Sequence, residues 1–159
     1  MAEDMLVKLY DLPDDWSFLA GQAEQGITIR KPIGPEKHLV LQWIKNNFNE
    51  CWASEAEVAM FNSPRTLFVA IKDNKLIGFS CYDATALGLF GPIGVAESCR
   101  GQGTGKALLF AALLDMKLKG YKYAIIGLTG LHAFYNKAVG AVVIPDSFPG
   151  FWETWVREN

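Results

Sequence analysis

The sequence predicts a single mixed α+β domain: a central, mostly antiparallel sheet flanked by helices, with one parallel crossover. Three observations carry that prediction. Two apolar runs are joined by the turn residues Lys72-Asp73-Asn74-Lys75, a strong helical stretch over residues 104–118 sits between two strand-like segments, and the composition supports one core. Half of the 159 residues are hydrophobic and a fifth are charged. A chain of this length buries about two thirds of its unfolded surface, so its core requires neither disulfides nor a structural metal. Residues 1–159 are expected to form one domain, with an N-terminal extension at 1–25, a core at 27–144 and a C-terminal tail at 145–159.

The elements follow in chain order. Residues 5–12 alternate weakly and end at Leu12-Pro13-Asp14-Asp15, a turn signal, so they read as a short strand outside the main fold. Ile27-Thr28-Ile29-Arg30 alternates with β-branched residues, and Pro32, Gly34 and Pro35 then break the chain before a helix over 36–48. That helix places Val40, Trp43, Ile44 and Phe48 on one side. A second helix over 54–61 follows from the Ser-x-x-Glu pattern of Ser54 and Glu57. Residues 66–71 and 76–82 form a hairpin about the Asp73-Asn74 turn. Residues 87–95 are strand-like but interrupted by Gly88, Gly91, Pro92 and Gly94, which implies a bulge or a close approach to the backbone by something else. The helix over 104–118 carries Leu109, Leu113 and Met116 on one stripe and Lys117 and Lys119 near its end, and Gly120 stops it. A buried strand over 123–128, a short helix over 131–139 and a strand over 141–144, stopped by Pro145, complete the order.

Fifteen Lys and Arg against seventeen Asp and Glu give a net charge of −2, without the basic excess that nucleic-acid binding relies on. The longest apolar run, 107–114, falls well short of the roughly 20 residues that cross a bilayer. Glu3 and Asp4 stand where a secretory signal carries positive charge, and no apolar stretch follows before Pro13, so a cytoplasmic location is expected. Cys51, Cys81 and Cys99 are far apart, the only histidines are His38 and His132, and no spacing among them matches a metal site. No metal is expected.

Arg100-Gly101-Gln102-Gly103-Thr104-Gly105-Lys106 lies between the broken strand and the strong helix. Glycines let a ligand approach the backbone, and the free N–H groups and dipole of a helix start favour an anion. No carboxylate between Arg100 and Leu114 opposes one. An ATP-binding P-loop would need Gly at Arg100 and Ser or Thr at Ala107. A dinucleotide fingerprint would need Gly at Lys106 and an acidic residue about 20 positions on, where none stands between Asp115 and Asp146.

The loop does resemble the Q/RxxGxG/A loop of the GNAT acetyltransferases, at Arg100, Gly103 and Gly105. The broken strand before it and the helix after it are those of the family, and Phe134-Tyr135-Asn136-Lys137 before Val139-Gly140-Ala141 resembles the family's FYxKxGF segment. The resemblance covers residues 27–144. Its segments GPIGV, RGQGTGKALL, FYNKAVGA and PDSFPGFW are most similar to bacterial acetyltransferase domains, some joined to sugar-hydrolase-like proteins.

The resemblance implies an acyl-CoA N-acyltransferase fold, with the sheet splayed at the bulged strand, and transfer of an acetyl group from acetyl-CoA to a primary amine by direct attack. The pyrophosphate is expected on the backbone N–H groups of Arg100, Gly101, Gln102, Gly103, Thr104 and Gly105, with Lys106 opening the helix behind it. The pantetheine arm is expected to pair with Ile93 and Val95, and a backbone N–H near Val95 to stabilise the oxyanion. Tyr135 is expected to protonate the leaving thiolate while Phe134 packs inward. The chain departs from the family at Leu128, where an Asn is common; Thr129 is the candidate substitute. Asp83, Glu97 and His132 are the candidates for a base, with water a further possibility. Trp43, Phe48, Trp52 and Phe61, with Glu55 and Glu57, are expected around the acceptor pocket. A second reading keeps the loop without catalysis, as an acyl-CoA sensor. Residues 5–12 and Phe151, Trp152 and Trp155 suggest pairing with another copy in a homodimer. Cys99 as an acetylated nucleophile is a minor alternative, and a serine hydrolase is weaker still, since Gly78-Phe79-Ser80-Cys81-Tyr82 lacks the final Gly of GxSxG.

Overall fold

The computed structural model describes residues 1–159. Seven strands, β1 (Glu3–Lys8), β2 (Ile27–Arg30), β3 (Leu67–Lys72), β4 (Lys75–Tyr82), β5 (Leu89–Val95), β6 (Tyr123–Thr129) and β7 (Val142–Val143), form one sheet. Its order is β2-β3-β4-β5-β6-β1-β7. Every pairing is antiparallel except β5 with β6, which run parallel on either side of helix α4 (Thr104–Lys119). The remaining helices are α1 (Phe18–Ala23), α2 (Lys37–Asn47), α3 (Glu50–Phe61) and α5 (His132–Val139). No helix is long and apolar enough to cross a membrane.

Local sequence accounts for most of these elements. The β3–β4 hairpin turns through Asp73 and Asn74, both at positive φ (51° and 59°), the requirement of a two-residue hairpin loop that Asn and Asp meet at low penalty. Gly120 ends α4 at φ 108°, with its N–H on the Lys117 carbonyl. Asn49 caps α3 by accepting the Trp52 N–H at 2.8 Å. The helix therefore starts four residues before the Ser54 expected from sequence, because Asn49 supplies a cap that Ser54 does not.

The strand expected outside the main fold lies within the sheet. β1 pairs with β6 from Glu3↔Thr129 to Lys8↔Tyr123 and with β7 at Met5↔Val143 and Leu6↔Val142. Both of its edges are occupied within the chain, and Met5, Val7 and the following Leu9 are buried. Asp4 ties this region to its neighbours. It accepts the Leu128 N–H at 2.8 Å and donates its own N–H to Ser147 Oγ at 2.8 Å.

The core lies on both faces of the sheet. On one face α4, buried nearly all round, packs with β1 and with Tyr135 and Val139 of α5. On the other face Val40 and Ile44 of α2 and Ala56, Ala59 and Met60 of α3 cover Leu67, Val69, Phe79 and Cys81. The aromatics Trp43, Phe48, Trp52 and Phe79 interlock there at centroid distances of 5.0 to 6.5 Å. Phe61, expected with them, is exposed and carries Lys37 over its ring at 4.3 Å.

Candidate active site

The site begins where β5 leaves its neighbours. Between Tyr82↔Phe90 and Ser80↔Ile93, the two residues Gly91 and Pro92 of β5 stand opposite Cys81 alone, a bulge. Gly91 has φ 116°, and Pro92 has no N–H to give the ladder. Beyond Phe90↔Ile126, β5 and β6 no longer pair. Further along, the Ala96 N–H donates to the Ile77 carbonyl at 2.8 Å. Hydrogen-bonding residues alternate along an antiparallel pair, so Ile93 and Val95 turn their peptide groups away from β4, toward the open side. The Val95 carbonyl there accepts Arg100 Nε at 3.3 Å.

Gly94 serves a different need from opening the sheet. A Cβ at this position would lie 2.4 Å from Phe48 Cζ, so the ring rests directly on the strand's backbone.

The glycine loop follows. Gly101 and Gly103 have φ 87° and 77°. The six N–H groups from Gly101 to Lys106 donate to no backbone carbonyl, the start of α4 being among them, which makes this a ready anion cradle. Helix α1 fixes it from outside. Gln22, 4% exposed, donates Nε2 to the Gln102 carbonyl at 2.9 Å and accepts Thr104 Oγ1–H at 2.7 Å. Gln25 Nε2 reaches the same carbonyl at 3.0 Å. A planar trans peptide held by its carbonyl toward α1 points the Gly103 N–H the opposite way. Nothing in the local sequence ties Gln22 to a loop 80 residues on, and only the folded contact reveals it. Lys106 is exposed, with Nζ 5.7 Å from the Phe110 ring.

A cavity of about 340 Å³ opens where β5 and β6 diverge. It is lined by the strands, by Trp52 and Glu55 of α3 from one face, and by Leu131 and Tyr135 from the other. A larger cavity of about 510 Å³ lies between α2 and the β2–β3 edge and includes no residue of the loop or of β5.

Tyr135 is buried, and desolvation raises its phenol above the ordinary value. Phe134 does not pack inward as expected. It is 45% exposed and meets Tyr135 edge-on at 5.1 Å, because the helix turns only one of two adjacent residues to the core. Leu128 and Thr129 line the cavity, but the Leu128 N–H is taken by Asp4, and Thr129 Oγ1 accepts the Leu131 N–H at 3.0 Å.

The three residues named from sequence as bases do not reach this cavity. Both Asp83 carboxylate oxygens are engaged, one by the Gly88 N–H at 2.7 Å and the other by Tyr121 Oη–H at 2.6 Å, with Lys119 at 3.6 Å. Burial and that carboxylate push the Tyr121 phenol up to about 12. Glu97 is exposed beside the loop, and His132 keeps a buried, unpartnered Nε2 at the start of α5. Glu55 does line the cavity, whereas Glu57 is exposed near Lys37 at 4.0 Å. Burial raises the Glu55 carboxyl, partly offset by the hydrogen bond from Thr85.

This arrangement sets unpartnered N–H groups at the loop beside the open edge of β5 and a cavity that ends at a buried phenol. Residues 63–138 match the family model of the acetyltransferase (GNAT) domain. Among solved structures, the chain superposes on the GCN5-related glucosamine N-acetyltransferase region of a fungal multi-domain GH3 β-N-acetylglucosaminidase with TM-score 0.73 and 17% identity, over 90% of this chain and 20% of that one. A GCN5-related N-acetyltransferase from Sphaerobacter thermophilus gives 0.68 and 21%, over 90% and 48% of the two chains. A GNAT acetyltransferase from Brucella melitensis, solved with acetyl-CoA, gives 0.53 and 17%, over 69% and 80%. The chain thus spans about a fifth and about half of the first two proteins. No curated protein matches the sequence. Residues 63–138 match the acetyltransferase (GNAT) domain, and the sheet around them has the fold of the GCN5-related N-acetyltransferases.

Proposed function

We propose that the protein transfers the acetyl group of acetyl-CoA to a primary amine. The observation that carries this reading is the run of six unpartnered N–H groups at 101–106, set beside the open edge of β5. The pyrophosphate sits on those groups, with the charges of Arg100 and Lys106 at hand. The pantetheine arm extends β5 through the peptide groups of Ile93 and Val95, which brings the thioester to the cavity. The amine nitrogen attacks the thioester carbon, the Val95 N–H stabilises the oxyanion, and Tyr135 gives its proton to the leaving sulfur.

The test is calorimetric titration of the protein with acetyl-CoA, beside an Arg100→Ala/Gly105→Glu double variant. A Cβ at Gly105 comes no closer than 3.8 Å to Val95 Cγ2, so the fold accepts a side chain there. A carboxylate at a helix start opposes the phosphates by up to about 2 kcal/mol, and binding is expected to weaken about 30-fold or more. Release of the CoA thiol on adding primary amines completes the test. No binding by the parent protein overturns the reading; binding without transfer to any amine supports a sensor instead.

Gln22→Ala probes the clamp on the loop. It removes hydrogen bonds to Gln102 and Thr104, each with a net value of about 1 kcal/mol. The expected result is acetyl-CoA binding weakened about tenfold, with kcat at saturation little changed. A dissociation constant equal to the parent's would show that the loop holds its conformation without α1.

A further inference from the structure

The acetyl-transfer reading leaves open what removes the amine's proton and what the acceptor looks like, and the far wall of the cavity bears on both. Glu55 is the one charged residue in its lining. Thr85 Oγ1 donates to Glu55 Oε1 at 2.5 Å, which fixes the carboxylate and leaves Oε2 without a protein partner. Trp152 stands in the same wall, carried by the short helical turn Gly150–Thr154. Its Nε1–H is buried and has no hydrogen-bond acceptor. A buried donor left unpaired carries a penalty of about 1–3 kcal/mol, which a ligand oxygen would relieve. Trp52, Glu55, Thr85 and Trp152 also border a neighbouring cavity that opens past Trp155, so the wall is reached from outside the sheet, on the face opposite Tyr135.

Resting on the acetyltransferase reading, we propose that Glu55 is the base that receives the acceptor's proton and that Trp152 Nε1–H binds an oxygen of the same acceptor. The site then selects a primary amine that also bears a hydroxyl or carbonyl group. The N–C bond forms from the nitrogen lone pair as an N–H proton passes to Glu55 Oε2, directly or through one water. The C–S bond breaks, and the sulfur takes the Tyr135 proton. Glu55 releases its proton to solvent and Tyr135 regains one, so amine and acetyl-CoA become acetamide and CoA with no other reactant. Cys81 of β4 neighbours Glu55, its thiol pushed up by burial and by the Glu55 charge, and Tyr135, raised by burial, lines the same cavity from the opposite face. Both stay neutral near pH 7, while the exposed Cys51 lies a turn earlier on α3 and borders only the outer cavity.

The experiment measures CoA release by the full chain with 2-aminocyclohexanol and with cyclohexylamine, for the parent, Glu55→Gln and Trp152→Phe, alongside acetyl-CoA titrations without acceptor. The parent is expected to favour the amino alcohol. Glu55→Gln is expected to lower kcat/KM about 10²-fold for both amines, with acetyl-CoA affinity unchanged, and to erase the parent's decline in rate as pH falls through the Glu55 pKa. Trp152→Phe is expected to lower kcat/KM about tenfold for the amino alcohol alone. Equal use of both amines by the parent, or turnover of neither, overturns the acceptor class. A Glu55→Gln enzyme with the parent's rate and pH profile overturns the base. Failure of the acetyltransferase reading itself is seen separately, as a parent that binds no acetyl-CoA.

Discussion

Tyr135→Phe is expected to lower kcat by about 10²-fold or more, the usual contribution of a positioned general acid, while acetyl-CoA affinity and stability stay near the parent values. The phenol lies in the cavity wall and its raised pKa has burial as its cause, without a carboxylate or hydroxyl partner. Removing one oxygen therefore breaks no protein hydrogen bond and leaves the ring packed with Phe134. The sign of the shift suits an acid: a phenol raised above its ordinary value of 10.0 keeps its proton throughout the neutral range. Loss of this proton donor leaves the thiolate to depart unassisted, which slows turnover without touching the loop that binds the phosphates. The measurement is kcat at saturating acetyl-CoA, with calorimetry on the same preparation. A kcat within about threefold of the parent's would remove Tyr135 from the proposed mechanism, since general-acid contributions are larger than that.

Gly94→Ala carries the largest expected effect on stability. The added methyl would fall 2.4 to 2.9 Å from three ring atoms of Phe48. That ring is held by Trp43, Trp52 and Phe79 at 5.8, 5.0 and 5.8 Å and cannot turn aside freely. Overpacking of this kind costs about 1–3 kcal/mol, or roughly 3–10 °C in Tm for a chain of this size. A double-mutant cycle isolates the cause. In a Phe48→Ala background, which is itself destabilised, Gly94→Ala should add little. An equal loss in both backgrounds would mean that backbone conformation, and not the ring, requires glycine here.

Features written in short stretches of chain were legible in the sequence. Asp73-Asn74 announces its hairpin, Gly91-Pro92 the bulge, and Gly103 the start of α4, because each depends on backbone preferences of the residues themselves. Features that depend on partners distant in the chain were not. The alternation of Met5, Val7 and Leu9 is that of a buried strand, yet nothing local says that β6 and β7 flank it. In sequence Gly94 is one more breaker in a broken strand, and the ring that requires it, Phe48, belongs to a distant segment. The aromatics around Glu55 and Glu57 point both toward an acceptor pocket, but Thr85 and Trp152, which distinguish Glu55 from Glu57, come from segments far along the chain. Asp83 was the reverse case: a carboxylate at a strand end that the fold spends on Gly88 and Tyr121.

The position of β1 also orders events during biosynthesis. Its first partner, β6, begins at Tyr123 and the second, β7, lies at Val142–Val143. At the ribosome's ~5–20 residues per second, the segment carrying Met5 and Val7 waits on the order of ten seconds before β6 has been made. The β3–β4 hairpin and the helices beside it can meanwhile collapse through short-range contacts, whereas closing β1 onto β6 requires nearly the whole chain. The half of the sheet that carries α5 is therefore completed last, and β1, made long before either partner, is the strand most exposed to chaperones and to mispairing on the way.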